Sequence, residues 1–187
     1  LLISALLKPW KAEVHPAELG ERLSYTTMTL SRAVKELEHA GLASVVDVGR
    51  ERWLHFDDNA QAIWCRALPM LRDPVKKNVW AMPDPTVQKQ VRLAGESALA
   101  SATLLAEPAH PVYAVSAAQW KHAQQRGMCA LPSPEPAACL LQIWSYNPDI
   151  SQLDGSVDPL SLILSLRNER DERVQQALIE FEEGLTW

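Results

Sequence analysis

The sequence predicts an α+β protein, and three observations carry that prediction. Residues 1–42 show three short runs of helical periodicity. Residues 43–56 alternate as paired strands do, around a Gly-containing turn. Residues 89–187 then mix further helical runs with short apolar or β-branched stretches. The 187 residues suit one large or two small domains, and a 47% hydrophobic, 22% charged composition is that of a globular chain able to bury a core. Thirteen prolines against seven glycines point to defined turns rather than flexible linkers.

The elements follow in order. Residues 1–8 read as a short amphipathic helix stopped by Pro9. Pro16 at a first helical position and Glu18 near the positive end of the dipole open a second helix, which runs to about Leu23. After a break at Ser24-Tyr25-Thr26, a third helix extends from about Thr26 to Ala40, with Gly41 as its stop. Ser44 to Val48, the turn Gly49-Arg50-Glu51 and the alternating Arg52 to Phe56 form a hairpin. A hairpin directly after a helical pair is the arrangement of a winged helix–turn–helix. Asn59 caps a further helix with apolar positions from Ala60 to Leu71, which Pro69 ends or bends.

The division expected is therefore a winged-helix domain with a trailing helix over 1–72, a linker over 73–88 with a short strand at 78–82, and a smaller mixed α/β domain over 89–187. Within the last, helices are predicted from Gly95 to Leu105, from Ser116 to Arg126, from Leu160 to Leu166, and after a cap at Asn168. Strands are predicted at Val112–Val115 and Cys139–Trp144. Leu131 to Pro136 reads as an exposed extended loop.

The third helix carries the functional expectation. At about 100° per residue, Leu30, Ala33, Val34 and Leu37 face the core, and Met28, Arg32, Lys35 and His39 face away, flanked by Thr29, Ser31 and Glu36. A face with hydroxyls, Arg and Lys along its N-terminal half can enter a major groove, where Arg binds guanine edges and hydroxyls bind bases or phosphates. Thr27, Thr29, Ser31, Arg32 and Lys35 are the reading candidates, and Arg50 and Arg52 at the hairpin tip are the backbone candidates. A solvated helix surface, and charge that protects an edge strand, account for the same residues without DNA.

The segments Pro16–Leu23, Thr26–Arg32 and Val34–Leu42, closing on Leu37-Glu38-His39-Ala40-Gly41-Leu42 before the hairpin, resemble the winged helix of MarR-like bacterial regulators. That resemblance implies a transcriptional regulator whose helix lies in the major groove beside the hairpin. The wing tip here is less basic than is usual in such regulators, and no flanking dimerisation helices stand out. Leu93–Leu99 and Val157–Leu162 resemble the effector part of AbiEi-type antitoxin regulators. That family pairs a winged helix with an α/β domain and represses its own operon.

Charge limits the reading. The net charge is −5; residues 1–75 hold 9 basic and 10 acidic side chains, and residues 76–187 hold 9 and 13. A uniformly basic binder is excluded, whereas a local cationic patch is not. The even balance of residues 1–75 keeps a protein-docking winged helix without DNA binding as the alternative.

Three cysteines, Cys65, Cys129 and Cys139, with no C-x-x-C pair, suit a reducing cytoplasm. No apolar run reaches membrane-spanning length, and residues 1–7 lack the basic flank of a signal peptide. The lack of an initiator Met implies a short upstream stretch. No catalytic residue, metal site or cofactor is expected. Gly95-Glu96-Ser97 lacks the second glycine of a nucleophile elbow, since position 99 is Leu. Five scattered histidines have no metal-ligand spacing, and no phosphate-binding glycine loop occurs. An enzyme in residues 90–187 thus lacks a convergent set, although an aromatic pocket of Tyr113, Trp120 and Trp144 stays open. The partners expected are double-stranded DNA, a second copy, and a protein or effector for the second half.

Overall fold

A computed structural model describes residues 1–7, 10–23, 25–49, 51–83, 91–150 and 155–187. The fold is α+β, with two small sheets. The chain divides into two compact units: Leu1–Leu71 together with Thr186–Trp187, and Arg72–Leu185.

The first unit runs α1 (Leu2–Leu6), β1 (Glu13–Val14), α2 (Pro16–Leu23), α3 (Thr27–His39), β2 (Ser44–Val48), β3 (Glu51–His55) and α4 (Ala60–Ala67). Its strands form an antiparallel sheet in the order β1-β3-β2. β1 is a two-residue strand too short to show alternation, and sequence reading did not find it. It extends the sheet through Val14 opposite Leu54, and the Phe56 amide continues the pairing by donating to the Ala12 carbonyl at 2.8 Å. Gly49, at φ +67°, supplies the left-handed backbone that a tight β2–β3 connection needs.

α3 ends in a Schellman motif. The Leu42 amide donates to Leu37 O and the Gly41 amide to Glu38 O, each at 3.0 Å, with Gly41 at φ +63°. This seats Leu37 and Leu42 together in the core, with Leu19, Leu54, Phe56 and Trp64. Gly20 matters for the placing of α3. A β-carbon there would lie 3.0 Å from Leu30 Cδ2, so the glycine lets α2 and α3 approach closely.

The second unit runs β4 (Val75–Ala81), β5 (Arg92–Leu93), α5 (Gly95–Ala102), β6 (Val112–Ser116), α6 (Ala117–Gln125), β7 (Cys139–Trp144), α7 (Pro159–Leu166) and α8 (Glu172–Glu183). The sheet order is β4-β7-β6-β5. β6 and β7 are parallel, with α6 in the crossover that parallel neighbours require, and the other pairs are antiparallel. Val79, Val115, Trp120, Ala123 and Leu141 share one core cluster. Ser116 caps α6 with a full capping box.

Several expectations change here. The stretch read as a linker contains β4, whose pairing with central β7 makes it part of the sheet; its residues 84–88 lie outside the described residues. The second unit is consequently the larger, not the smaller. The helix expected over 1–8 is confined to Leu2–Leu6, and Lys8 and Pro9 lie outside the described residues. α5 stops at Ala102 rather than Leu105, because the Thr103 hydroxyl turns back to the Leu99 carbonyl at 2.7 Å and Thr103 adopts extended backbone. The cap of α8 is Asp171, not Asn168. Trp120 and Trp144 are buried, with Trp144 packed edge-on to Tyr146, and Tyr113 packs on the core; they are core residues rather than the lining of a pocket.

Candidate nucleic-acid interface

α3 begins at Thr26, whose hydroxyl accepts the Thr29 amide at 3.2 Å and shares a hydrogen bond with the Thr29 hydroxyl at 2.9 Å. The cap satisfies one of the unpaired amides of the first turn. It also engages the Thr29 side chain, so the reading role expected of Thr29 competes with a local hydrogen bond. Leu37 is buried and Leu30, Ala33 and Val34 are half-buried, which sets the inward stripe. Thr27, Met28, Thr29, Ser31, Arg32, Lys35 and His39 all lie on exposed surface. Met28 is 66% exposed.

Arg32 and Lys35 form no ion pair among the described residues, so their charge faces solvent. His39 donates from Nδ1 to the Lys35 carbonyl at 2.8 Å, which fixes its ring against the last turn. Tyr25 sits half-buried before the helix; burial, and then the Glu36 carboxylate, push its phenol up. It therefore stays a neutral hydroxyl across the physiological range.

The hairpin lies next to this helix, since α3 contacts β2. Arg52 stands directly across the ladder from Asp47, with Nε 3.8 Å from Oδ1 and both side chains largely exposed. A pair that long and that solvated contributes little to stability. It nevertheless offsets the cation expected to meet a phosphate. Cross-strand pairing about the Gly49 turn makes this neighbour legible in the sequence, because Asp47 and Arg52 flank the turn symmetrically. Arg50 lies outside the described residues. Val46 and Val48 point outward, at 41% and 52% exposure. At the base of the sheet, His55 lies 3.3 Å from Glu13 and 3.4 Å from Asp57, and Trp53 packs edge-on to His15 with ring centroids 5.4 Å apart.

The other constellations have structural places. Ser97 is fully buried, and its hydroxyl accepts the Val112 amide at 3.0 Å, latching α5 to β6. Cys65 and Cys129 are exposed free thiols, and Cys139 is buried. Among the described residues no group of three His, Cys, Asp or Glu side chains could hold a metal ion. No helix of the described residues is long and apolar enough to cross a membrane.

Comparison with known protein families, with curated proteins and with solved structures returns no match.

Proposed function

We propose that the Leu1–Leu71 unit is a winged helix–turn–helix that binds double-stranded DNA, and that the chain is a transcriptional regulator acting in the cytoplasm. The observation that carries this reading is the outward face of α3. Thr27, Ser31, Arg32 and Lys35 are exposed together, and the two cations have no ion-pair partner among the described residues. The element order α1-β1-α2-α3-β2-β3 supports it, because it sets a hairpin beside the second helix of a helix pair. In this reading Arg32 and Lys35 make the cationic contacts, Thr27 and Ser31 add hydroxyl contacts, and Arg52 adds a weaker one tempered by Asp47. Binding as a homodimer on paired half-sites supplies the specificity that one short helix lacks. An autoregulating antitoxin-type repressor is the form suggested by the resemblance of the second half.

The test is binding of labelled mixed-sequence duplex, followed by anisotropy at two salt concentrations. With Arg32, Lys35 and Arg52 each displacing one counterion, log K falls with log salt at a slope of roughly −2.7. Between 50 and 200 mM salt the affinity drops at least ~40-fold. Negligible binding at both concentrations removes the DNA reading.

One set of observations favours a second reading, a protein-docking winged helix. Met28, Val46 and Val48 are exposed apolar residues on the same helix and hairpin, and Arg52 is already paired. Flat, salt-independent association with a protein partner through these residues, without DNA retention, distinguishes it.

A further inference from the structure

Within the second unit, α8 and the segment 103–109 that follows α5 enclose an open cleft of about 770 Å³. A second hollow of about 610 Å³ adjoins it, sharing Leu104 and Glu180, and together they make the groove along α8. The groove follows α8, whose 12 residues span roughly 18 Å at the α-helical rise. That length matches three turns of a docked helix.

Two features define what fits. The first is an apolar surface that none of the described residues covers. Leu104 is 101% exposed, as open as a leucine can be, and Leu105 and Phe181 beside it are half-buried. α5 has ended at Ala102, so Leu104 projects from the loop instead of packing along a helix. The second is the charge. Glu96, Glu107, Glu172 and Glu180 line the groove, and Arg173 is the one cation among the described lining residues. Arg173 is already held by Asp171, with Nη2 2.7 Å from Oδ2. The Glu96 carboxyl is pushed up by burial and then by Glu169 and Asp171, against a smaller opposing pull from Arg173.

We propose that this groove binds a basic amphipathic segment of a partner protein, with apolar side chains over Leu104, Leu105 and Phe181 and Lys or Arg groups on Glu96, Glu107 and Glu180. Charge complementarity selects this occupant. A nucleic acid meets like charge here, and a second copy of the chain brings the same acidic rim. Anchoring by a few apolar side chains at i, i+3 or i+4 spacing, with charges at the rim, is how grooves of this kind hold helices. The site is separate from the α3 face, and the inference does not rest on DNA binding.

The experiment titrates the full chain, without DNA, into a labelled synthetic peptide of leucine and lysine at helical spacing. Its counterpart carries glutamate at every lysine position. The basic peptide binds and the acidic one does not. Leu104→Asp weakens the basic peptide by about ten-fold or more. The pair Glu107→Gln and Glu180→Gln weakens it and flattens its salt dependence. All three positions carry surface or partly exposed side chains, and circular dichroism confirms that the variants fold. The proposal is overturned by equal binding of the two peptides, by no binding at low salt, or by unchanged affinity in both variants. It is also overturned if sedimentation shows a dimer that Leu104→Asp converts to monomer, because the occupant is then a second copy.

Discussion

The two units place their polar residues in opposite ways. In the first, Ser4 is the only polar side chain buried among the described residues, and the hydroxyls and cations of α3 lie outside. In the second, Ser97, Gln142, Asp158 and Ser161 are all buried and serve the architecture. Ser97 ties α5 to β6, Gln142 accepts the Trp144 indole N–H at 3.2 Å, and Asp158 caps α7 by accepting the Ser161 amide at 2.8 Å. Burying a polar group costs free energy that a hydrogen bond offsets, so these bonds tie the sheet and helices together. The lesson is that polar residues report function only after their burial is known. The missing second glycine argues against the Ser97 motif in the sequence, and burial of its hydroxyl closes the question, whereas Thr27 of α3 stays exposed to a partner.

The comparison can be broken most forcefully at the core of the second unit. Leu99 is fully buried, and Leu99→Ala costs about 2–5 kcal/mol in a urea unfolding experiment. DNA affinity of the folded fraction stays unchanged if nucleic-acid contact belongs to the first unit alone; a parallel loss of affinity without unfolding breaks the division of labour.

Gly95→Ala comes next. Gly95 has φ +51°, and a β-carbon there would lie 3.0 Å from Val112 Cγ1 and 3.1 Å from Gln142 Nε2. The left-handed backbone and the crowding together cost on the order of 1–3 kcal/mol, read as a lowered unfolding midpoint. A neutral outcome shows that the Ser97–Gln142 region is looser than the buried hydrogen bonds imply.

Asp158→Asn acts on the pH dependence rather than on the midpoint. Burial raises the Asp158 carboxyl above its ordinary value, and its Oδ2 lacks a partner among the described residues. Below the unfolded-state pKa the group is protonated in both states. As pH rises through the raised folded-state value, folding must either keep the proton or bury the charge, so the stability it allows at low pH is lost. Asn keeps the capping oxygen and does not titrate. Thermal unfolding from acid to neutral pH therefore shows a flatter profile for the variant, and an identical profile contradicts the assignment.

The smallest expected effect is at the β2–β3 hairpin. Arg52→Ala removes only a long, solvated pair and changes stability by less than about 0.5 kcal/mol. The same variant lowers the salt slope of DNA binding by about one if Arg52 meets a phosphate. An unchanged slope confines contact to α3.

Much of this was legible because it is local. The inward stripe of α3, its glycine stop, the hairpin turn, the capping serine of α6 and the Asp-Pro start of α7 each depend on a few neighbouring residues, and the sequence states them. What escaped depends on distant partners. β1 is two residues long and is a strand only because β3 is there to pair with it. β4 was expected only as a short strand at 78–82 within a linker, and its start at Val75 and its place in the sheet depend on pairing with β7. The groove along α8 depends on α5 ending at Ala102, whereas the sequence pattern carries that helix on to Leu105. In the candidate interface, the outward placing of Arg32 and Lys35, flanked by Ser31, followed from periodicity, whereas the exposure of Thr27 did not. The sharing of the Thr29 hydroxyl and the Asp47–Arg52 pairing came from geometry.

The most direct test of the account is made at Arg32 and Lys35. A duplex is selected from a random pool by the wild-type chain, and Arg32→Ala with Lys35→Ala is then measured against it by footprinting and salt titration. The prediction is loss of the footprint, with any residual binding showing a salt slope shallower by about two. An unchanged footprint and slope, in a variant of unchanged stability, would contradict the claim that the outer face of α3 meets DNA.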